Sequence, residues 1–172
     1  MNHNQDNYDS IINDSFHALN ERHNNIYQFV IHYNDYILSR HDYGEGIPLT
    51  MIEMHTLTYI EDHPGVTITE LANYWNKTKG ALSQTVSRLE EKNLVKKIKE
   101  PNNAKNIHLH ATELGIRLSK AHKLYDTVDI AKTMGELQQE CTAEEIDSFY
   151  KVISVYNKII KKDFVINRTR KK

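Results

Sequence analysis

The chain has 172 residues, 39% hydrophobic and 26% charged, with 6 Gly, 3 Pro and a single Cys, a composition that excludes collagen-like, loop-rich and disordered chains and suffices for one compact core. No apolar run approaches the ~20 residues of a membrane span, and the opening MNHNQDNYD lacks a signal-peptide apolar stretch, so a cytoplasmic protein with no membrane partner is expected. The net charge of −1 hides an asymmetry: residues 1–66 hold two arginines against ten acids, whereas Lys77–Lys105 holds eight bases against three acids. Such a basic zone can attract nucleic acid even in a slightly acidic protein.

Taken in order, the first predicted element is a long helix from about Ser10 to Arg40, with Ile11, Ile12, Phe16, Leu19, Ile26, Phe29, Val30, Tyr33 and Ile37 near helical spacing. HDYGEGIP breaks it. Thr50 with Glu53 forms a T-x-x-E capping box for a helix carrying Ile52, Met54, Leu57 and Ile60, which ends at His63–Gly65. Thr67 with Glu70 repeats the device for a short helix holding Leu71, Ala72 and Trp75. Asn76 then supplies a left-handed turn residue, and Thr78 caps the next helix.

That helix, within NKTKGALSQTVSRLEEKNLV, divides its residues by chemistry. At ~100° per residue, Ala81, Leu82, Thr85, Val86 and Leu89 fall on one side and Lys79, Gly80, Ser83, Gln84 and Ser87 on the other, with Arg88 at the border. A merely solvated face usually mixes Glu and Lys, yet no acid occurs between Lys79 and Ser87. Ser and Gln can hydrogen-bond base edges, and Lys or Arg can neutralise phosphates, which suits a helix in a major groove. Asn93 is placed as its left-handed terminal residue.

Two strands follow: LVKKIKE runs to the tip PNNAKN, and IHLHA returns with Ile107, Leu109 and Ala111 alternating against His108 and His110. Thr112 opens a long helix through ELGIRLSKAHKLYDTVDIAKTM. Thr142 with Glu145 caps the last one, AEEIDSFYKVISVYNKIIKKDF, leaving VINRTRKK as a frayed tail. Cys141 cannot form an internal disulfide and reads as a bystander.

The expected fold is mainly α with a small two-stranded β wing: an N-terminal dimerisation helix over 1–48, a winged helix-turn-helix lobe over 49–111, C-terminal dimerisation helices over 112–164 and a disordered basic tail over 165–172. The Ile-, Val-, Leu- and Tyr-rich flanking helices need a partner surface, which a two-fold homodimer supplies while setting two recognition helices about one DNA turn apart. The DNA-binding residues expected are Lys77, Thr78, Lys79, Gly80, Ser83, Gln84, Ser87 and Arg88 on the helix, with Lys97, Lys99 and Lys105 on the wing as phosphate contacts.

The run TITELANYWNKTKGALSQTVSRLEEKNLVKK, followed by NIHLHATELG, resembles the MarR family of bacterial transcription regulators from roughly Leu49 to Gly115. The resemblance implies a regulator, a repressor in the reading adopted here, that binds a palindromic operator on double-stranded DNA. The chain departs from the family pattern at several places. Asn76 and Asn93 replace Gly, Ala111 replaces Leu, and Asn103 and Ala104, followed by Lys105, stand where the family favours an Asp-Arg pair at the wing tip. Lysine there is a point charge without the planar arginine fork.

Family members respond to an effector where the dimerisation helices meet the lobe, which here implies a pocket of Tyr33, Tyr36, Met54, His55, Tyr59 and His122. One reading of His55 is a half-buried, hydrogen-bonded histidine. A second is zinc: a zinc-responsive branch of the family places a ligand at the position of His55 and a pair four apart at those of His122 and Asp126, with His32, His41 and Glu45 nearby in the chain. A third is an acyl or other apolar small molecule, because EMHT, HLHAT and AHK resemble the branch that represses fatty-acid synthesis genes. No G-x-S-x-G, H-E-x-x-H, phosphate-binding Gly loop or C-x-x-C is present, so no enzyme is expected. A helical protein–protein adaptor is the alternative function.

Overall fold

The structure, a computed structural model, describes residues 3–100 and 103–169. In chain order the elements are α1 (His3–Leu38), β1 (Arg40–His41), β2 (Leu49–Thr50), α2 (Met51–Asp62), α3 (Ile68–Tyr74), α4 (Lys79–Glu91), β3 (Val95–Glu100), β4 (Asn103–Ala111), α5 (Glu113–Glu140) and α6 (Ala143–Thr169). Contacts divide the chain into two units, Met1–His122 and Lys123–Lys172. The division falls inside α5 rather than at 111/112, because Gly115, Leu118, Ser119 and His122 on its first turns are buried.

Capping chemistry sets the starts of the short helices. The Thr50 hydroxyl accepts the Glu53 N–H at 3.3 Å while a Glu53 carboxylate oxygen accepts the Thr50 N–H at 3.1 Å. Thr67 and Glu70 repeat the exchange at the start of α3, and Thr142 and Glu145 do so at α6. Each box satisfies two backbone donors that the first turn of a helix leaves over. Asn76 and Asn93 adopt φ of 50° and 57°, the left-handed turns expected of them. The first lets the chain reverse between α3 and α4.

The core of the first unit is formed by Leu49, Met54, Leu57 and Ile60 from β2 and α2, Leu71 from α3, Leu82, Val86 and Leu89 from α4, Leu94 and Val95 at the start of the hairpin, Leu109 from β4 and Leu118 from α5. Truncating one such side chain to Ala typically costs about 2–5 kcal/mol. α1 contributes little to this core. Its Ile11, Ile12, Phe16, Leu19, Ile26, Phe29, Val30 and Tyr33 are all exposed. In the second unit, Phe149, Tyr150, Val152, Val155, Tyr156, Ile159 and Ile160 of α6 are exposed as well.

β3 and β4 pair antiparallel, with Val95 opposite Ala111, Lys97 opposite Leu109 and Lys99 opposite Ile107, and the register shifts between Lys99 and Glu100. Three details differ from expectation. β4 begins at Asn103, opposite Glu100, so most of the stretch assigned to the tip is strand, and the register shift between Lys99 and Glu100 absorbs the difference in strand length. Val66 also bridges to Leu109, with 2.9 Å hydrogen bonds from Leu109 N–H to Val66 O and from Gly65 N–H to Leu109 O. The α2–α3 connection therefore stitches onto the wing. Finally, α6 runs to Thr169, so the helix enters the 165–172 segment expected to be a disordered tail.

The break after α1 is itself a small closed hairpin: Arg40 pairs with Thr50 and His41 with Leu49, and Asp42 Oδ1 accepts both the Gly44 and Gly46 N–H groups at 3.0 Å. No helix among the described residues is long and apolar enough to cross a membrane.

Candidate nucleic-acid interface

α4 starts where Thr78 leaves extended geometry and its hydroxyl accepts the Ala81 N–H at 3.2 Å. Leu82, Thr85, Val86 and Leu89 are buried, and the Thr85 hydroxyl is turned onto the Ala81 carbonyl at 3.2 Å. The opposite face is open. Lys77, Thr78, Lys79, Gly80 and Gln84 are exposed, and Ser83 and Ser87 are half-buried. Ala81, in the first turn and assigned to the apolar side, is exposed too. No heavy atom lies within 4 Å of the Cβ position on Gly80, which leaves room for close backbone approach.

Two of the expected contacts are engaged inside the protein. Arg88 Nε donates to Glu53 Oε1 at 2.6 Å, and Arg88 Nη2 donates to Thr85 Oγ1 at 3.3 Å. Lys97 Nζ donates to Glu90 Oε2 at 2.7 Å. Lys99 is exposed on β3. The Lys105 side chain lies outside the described residues. The sequence reading missed the partners of Arg88 and Lys97; Glu53, 35 residues before Arg88, carries no local signal beyond its capping role.

Glu53 is 1% exposed. Burial pushes its carboxyl up. The Thr50 N–H, the Arg88 hydrogen bond and the charges of Arg40 and Arg88 outweigh burial and hold it below the usual glutamate range. Glu70 and Glu145 are also held low, each by the backbone and then the hydroxyl of its capping threonine.

The expected effector residues assemble in part. His55 and His122 meet edge to face with ring centroids 4.8 Å apart, and Tyr43 closes on His122 at 5.0 Å. His41 lies between Tyr43 and Tyr36, at 6.4 and 5.4 Å, and Tyr36 contacts Tyr33 at 6.0 Å. Met54 instead faces the core and is fully buried. Tyr59 stacks on His63 at 4.1 Å and meets Tyr74 in a tilted contact at 4.2 Å, and Tyr74 and Trp75 continue the row of rings to His55. His41, named as a neighbour of the zinc candidates, does join this cluster through Tyr43, whereas Tyr43 and Trp75 are the residues that sequence reasoning did not place here, since they come from a loop and a helix end. The indole N–H of Trp75 is buried without a partner among the described residues.

As metal donors, His55 and His122 offer nitrogen atoms within 4.8 Å of one another, and the Thr58 hydroxyl lies 3.4 Å from His122 Nδ1, a neighbour able to orient the ring. Two imidazoles suit zinc. Asp126 follows His122 by one turn of α5. His32 is exposed, and Glu45 is paired with Arg117 at 3.2 Å.

Comparison with known proteins agrees with this geometry. The model of the MarR family matches residues 46–105. An uncharacterised HTH-type transcriptional regulator of Bacillus subtilis (strain 168), YhjH, is 27% identical over 84 residues, which are 49% of this chain and 48% of that protein; the chain spans about half the length of this curated relative. Among solved structures, Streptococcus pneumoniae FabT in complex with DNA superposes with a TM-score of 0.62 at 21% identity, covering 86% of this chain and 98% of FabT. The zinc-responsive MarR family member ZitR of Lactococcus lactis gives 0.61 at 20% identity, covering 85% and 99%. At such identities the likeness shows a shared fold.

Proposed function

We propose, from the match of residues 46–105 to the model of the MarR family, that the protein is a sequence-specific DNA-binding transcription regulator of that family. It acts as a repressor, and as a homodimer it occupies a palindromic operator. The observation that carries this reading is the open, acid-free face of α4. Lys77, Thr78, Lys79, Gly80, Ser83, Gln84 and Ser87 combine base-reading amides and hydroxyls with flanking phosphate-binding cations. The exposed apolar residues of α1 and α6 support a second copy as the cover for those helices.

The test is a gel shift with duplexes selected by the protein from a random-sequence pool, beside a scrambled duplex of the same length. Gln84→Ala should weaken the selected duplex by about 1–3 kcal/mol more than the scrambled one. Equal losses on both would reduce Gln84 to a backbone contact. No retardation of either duplex would favour the adaptor reading.

For the effector, the facing His55 and His122 rings favour zinc. These two side chains would hold the ion, and the i,i+4 spacing of Asp126 from His122 makes it the candidate third donor. A bound ion would tie α2 to α5 and so bias the setting of the lobe. Equilibrium dialysis with Zn²⁺ should show uptake that His55→Ala and His122→Ala remove. Uptake unchanged by either substitution would refute the site, and duplex affinity unmoved by zinc would return the pocket to an acyl or other apolar ligand, for which the Tyr36–Tyr43–Trp75 rings are the lining.

A further inference from the structure

α4 is fastened to the rest of its unit by charge as well as by its apolar side. One turn apart, Arg88 and Lys92 reach the start of α2 and the segment before it: Arg88 donates to Glu53 in the first turn of α2 at 2.6 Å, and Lys92 Nζ donates to the Pro48 carbonyl at 3.1 Å. Arg40, two residues past the end of α1, meets the same two acceptors. Its Nη1 lies 3.3 Å from Pro48 O and 3.7 Å from Glu53 Oε2. The buried Glu53 carboxylate thus has one oxygen on the recognition helix and the other shared between Arg40 and the Thr50 N–H. Both arginines are about half-exposed, at 46% and 52%. Either could therefore turn to solvent or to a phosphate if the carboxylate charge were gone.

Resting on the regulator reading above, we propose that Glu53 is a positioning residue that ties the end of α1 to the recognition helix and reserves Arg88 as an internal strut, keeping it off the DNA backbone. The consequence is selectivity. A cation on the border of a reading helix adds affinity to every sequence alike if it is free to reach phosphates. Held by Glu53, it adds nothing to random DNA and instead fixes the pitch at which Ser83, Gln84 and Ser87 meet the groove. Because Arg40 sits at the end of α1, the same carboxylate carries the setting of that helix to α4.

Glu53→Gln isolates the charge, since glutamine also serves at the third position of a capping box, so the start of α2 survives while both ion pairs are lost. Affinities for the pool-selected duplex and for its scrambled counterpart would be measured across a salt series, with circular dichroism confirming the fold. For E53Q we expect tighter binding to the scrambled duplex and a salt slope steeper by about 0.9. The selected-to-scrambled ratio should fall about tenfold, or ~1.4 kcal/mol. R88Q alone should leave the slope at the wild-type value and lower only the ratio. E53Q/R88Q should return the slope to wild type, which a merely structural role of Glu53 would not produce. The proposal is overturned if E53Q leaves slope and ratio unchanged, or if R88Q flattens the slope by about 0.9, since Arg88 would then already be a phosphate contact. A wild-type protein that retards neither duplex would overturn the regulator reading itself, and this proposal with it.

Discussion

Gly115, in the first turn of α5, sets a steric test of how the wing is joined to the helix that follows it. A Cβ at this position would collide with the Leu94 carbonyl oxygen and sit 3.1 Å from both Leu57 Cδ1 and the Leu94 carbonyl carbon. Backbone cannot rotate out of the way as a flexible side chain can. The same Leu94 oxygen accepts the Thr112 N–H at 3.0 Å and the Thr112 hydroxyl at 3.3 Å, and Thr112 Oγ1 in turn accepts the Gly115 N–H at 3.0 Å. In Gly115→Ala the first turn of α5 must back away. That sacrifices about 0.5–1.5 kcal/mol of hydrogen bonding and adds about 1–3 kcal/mol of overpacking. The better helix propensity of Ala returns about 1 kcal/mol, leaving a net loss of about 2 kcal/mol. For a chain of this size the melting temperature should fall by about 4–8 °C. Gly135, also in α5, has no heavy atom within 4 Å of its Cβ position, and Gly135→Ala should move the other way, by about 1 kcal/mol. Both are read by thermal melts followed by circular dichroism at one fixed protein concentration. A Gly115→Ala protein that melts at or above the wild-type temperature would refute the steric account.

Sedimentation at micromolar concentration should give about twice the 20.1 kDa chain mass, and Phe16→Glu on the exposed face of α1 should shift it toward the monomer; a wild-type monomer that still binds a palindrome tightly would defeat the dimer reading. On the wing, Lys99→Ala and Lys105→Ala should each reduce the slope of log K against log salt by about 0.9 with base preference intact, whereas Lys97→Ala, already paired with Glu90, should change it less. Altered base preference at constant slope would mean that the wing reads sequence. In acid, the lowered pKa of Glu53 makes its stabilisation complete above the unfolded-state value near ~4.3 and lost as the pH falls through the folded-state value. Urea midpoints should therefore drop more steeply for wild type than for Glu53→Gln below about pH 4.3, and parallel curves would contradict the sign.

Much of this architecture is written in local signals. Three Thr-x-x-Glu boxes, the Thr78 cap and two asparagines at left-handed φ act within a few residues of themselves, so they can be read without knowing the fold. The open face of α4 is legible for the same reason, since helical periodicity alone separates Gln84 from Val86. What sequence could not supply is long-range choice. Nothing near Arg88 announces that its guanidinium prefers Glu53, and nothing in HPGV announces that Val66 pairs with Leu109. Met54 and His55 are adjacent, yet one turns into the core and the other toward His122. That distinction depends on where α5 returns, which no spacing within α2 encodes.

The Val66–Leu109 bridge bears on how such a protein can be taken apart and rebuilt. Hairpins of this kind invite transplantation as modules, cut at their base and grafted onto a different scaffold to alter target preference. Here the base of the hairpin is shared property: Leu109 exchanges hydrogen bonds with Gly65 and Val66, and His108 Nδ1 lies 2.7 Å from the Gly65 carbonyl. A chimaera that exchanged only residues 95–111 would leave those backbone groups facing a foreign turn. A cassette that carries the hairpin's own backbone bonds runs from His63 through Gly115 and takes the reading helix with it, and the receiving scaffold must then match Glu53 and Pro48, the partners of Arg88 and Lys92.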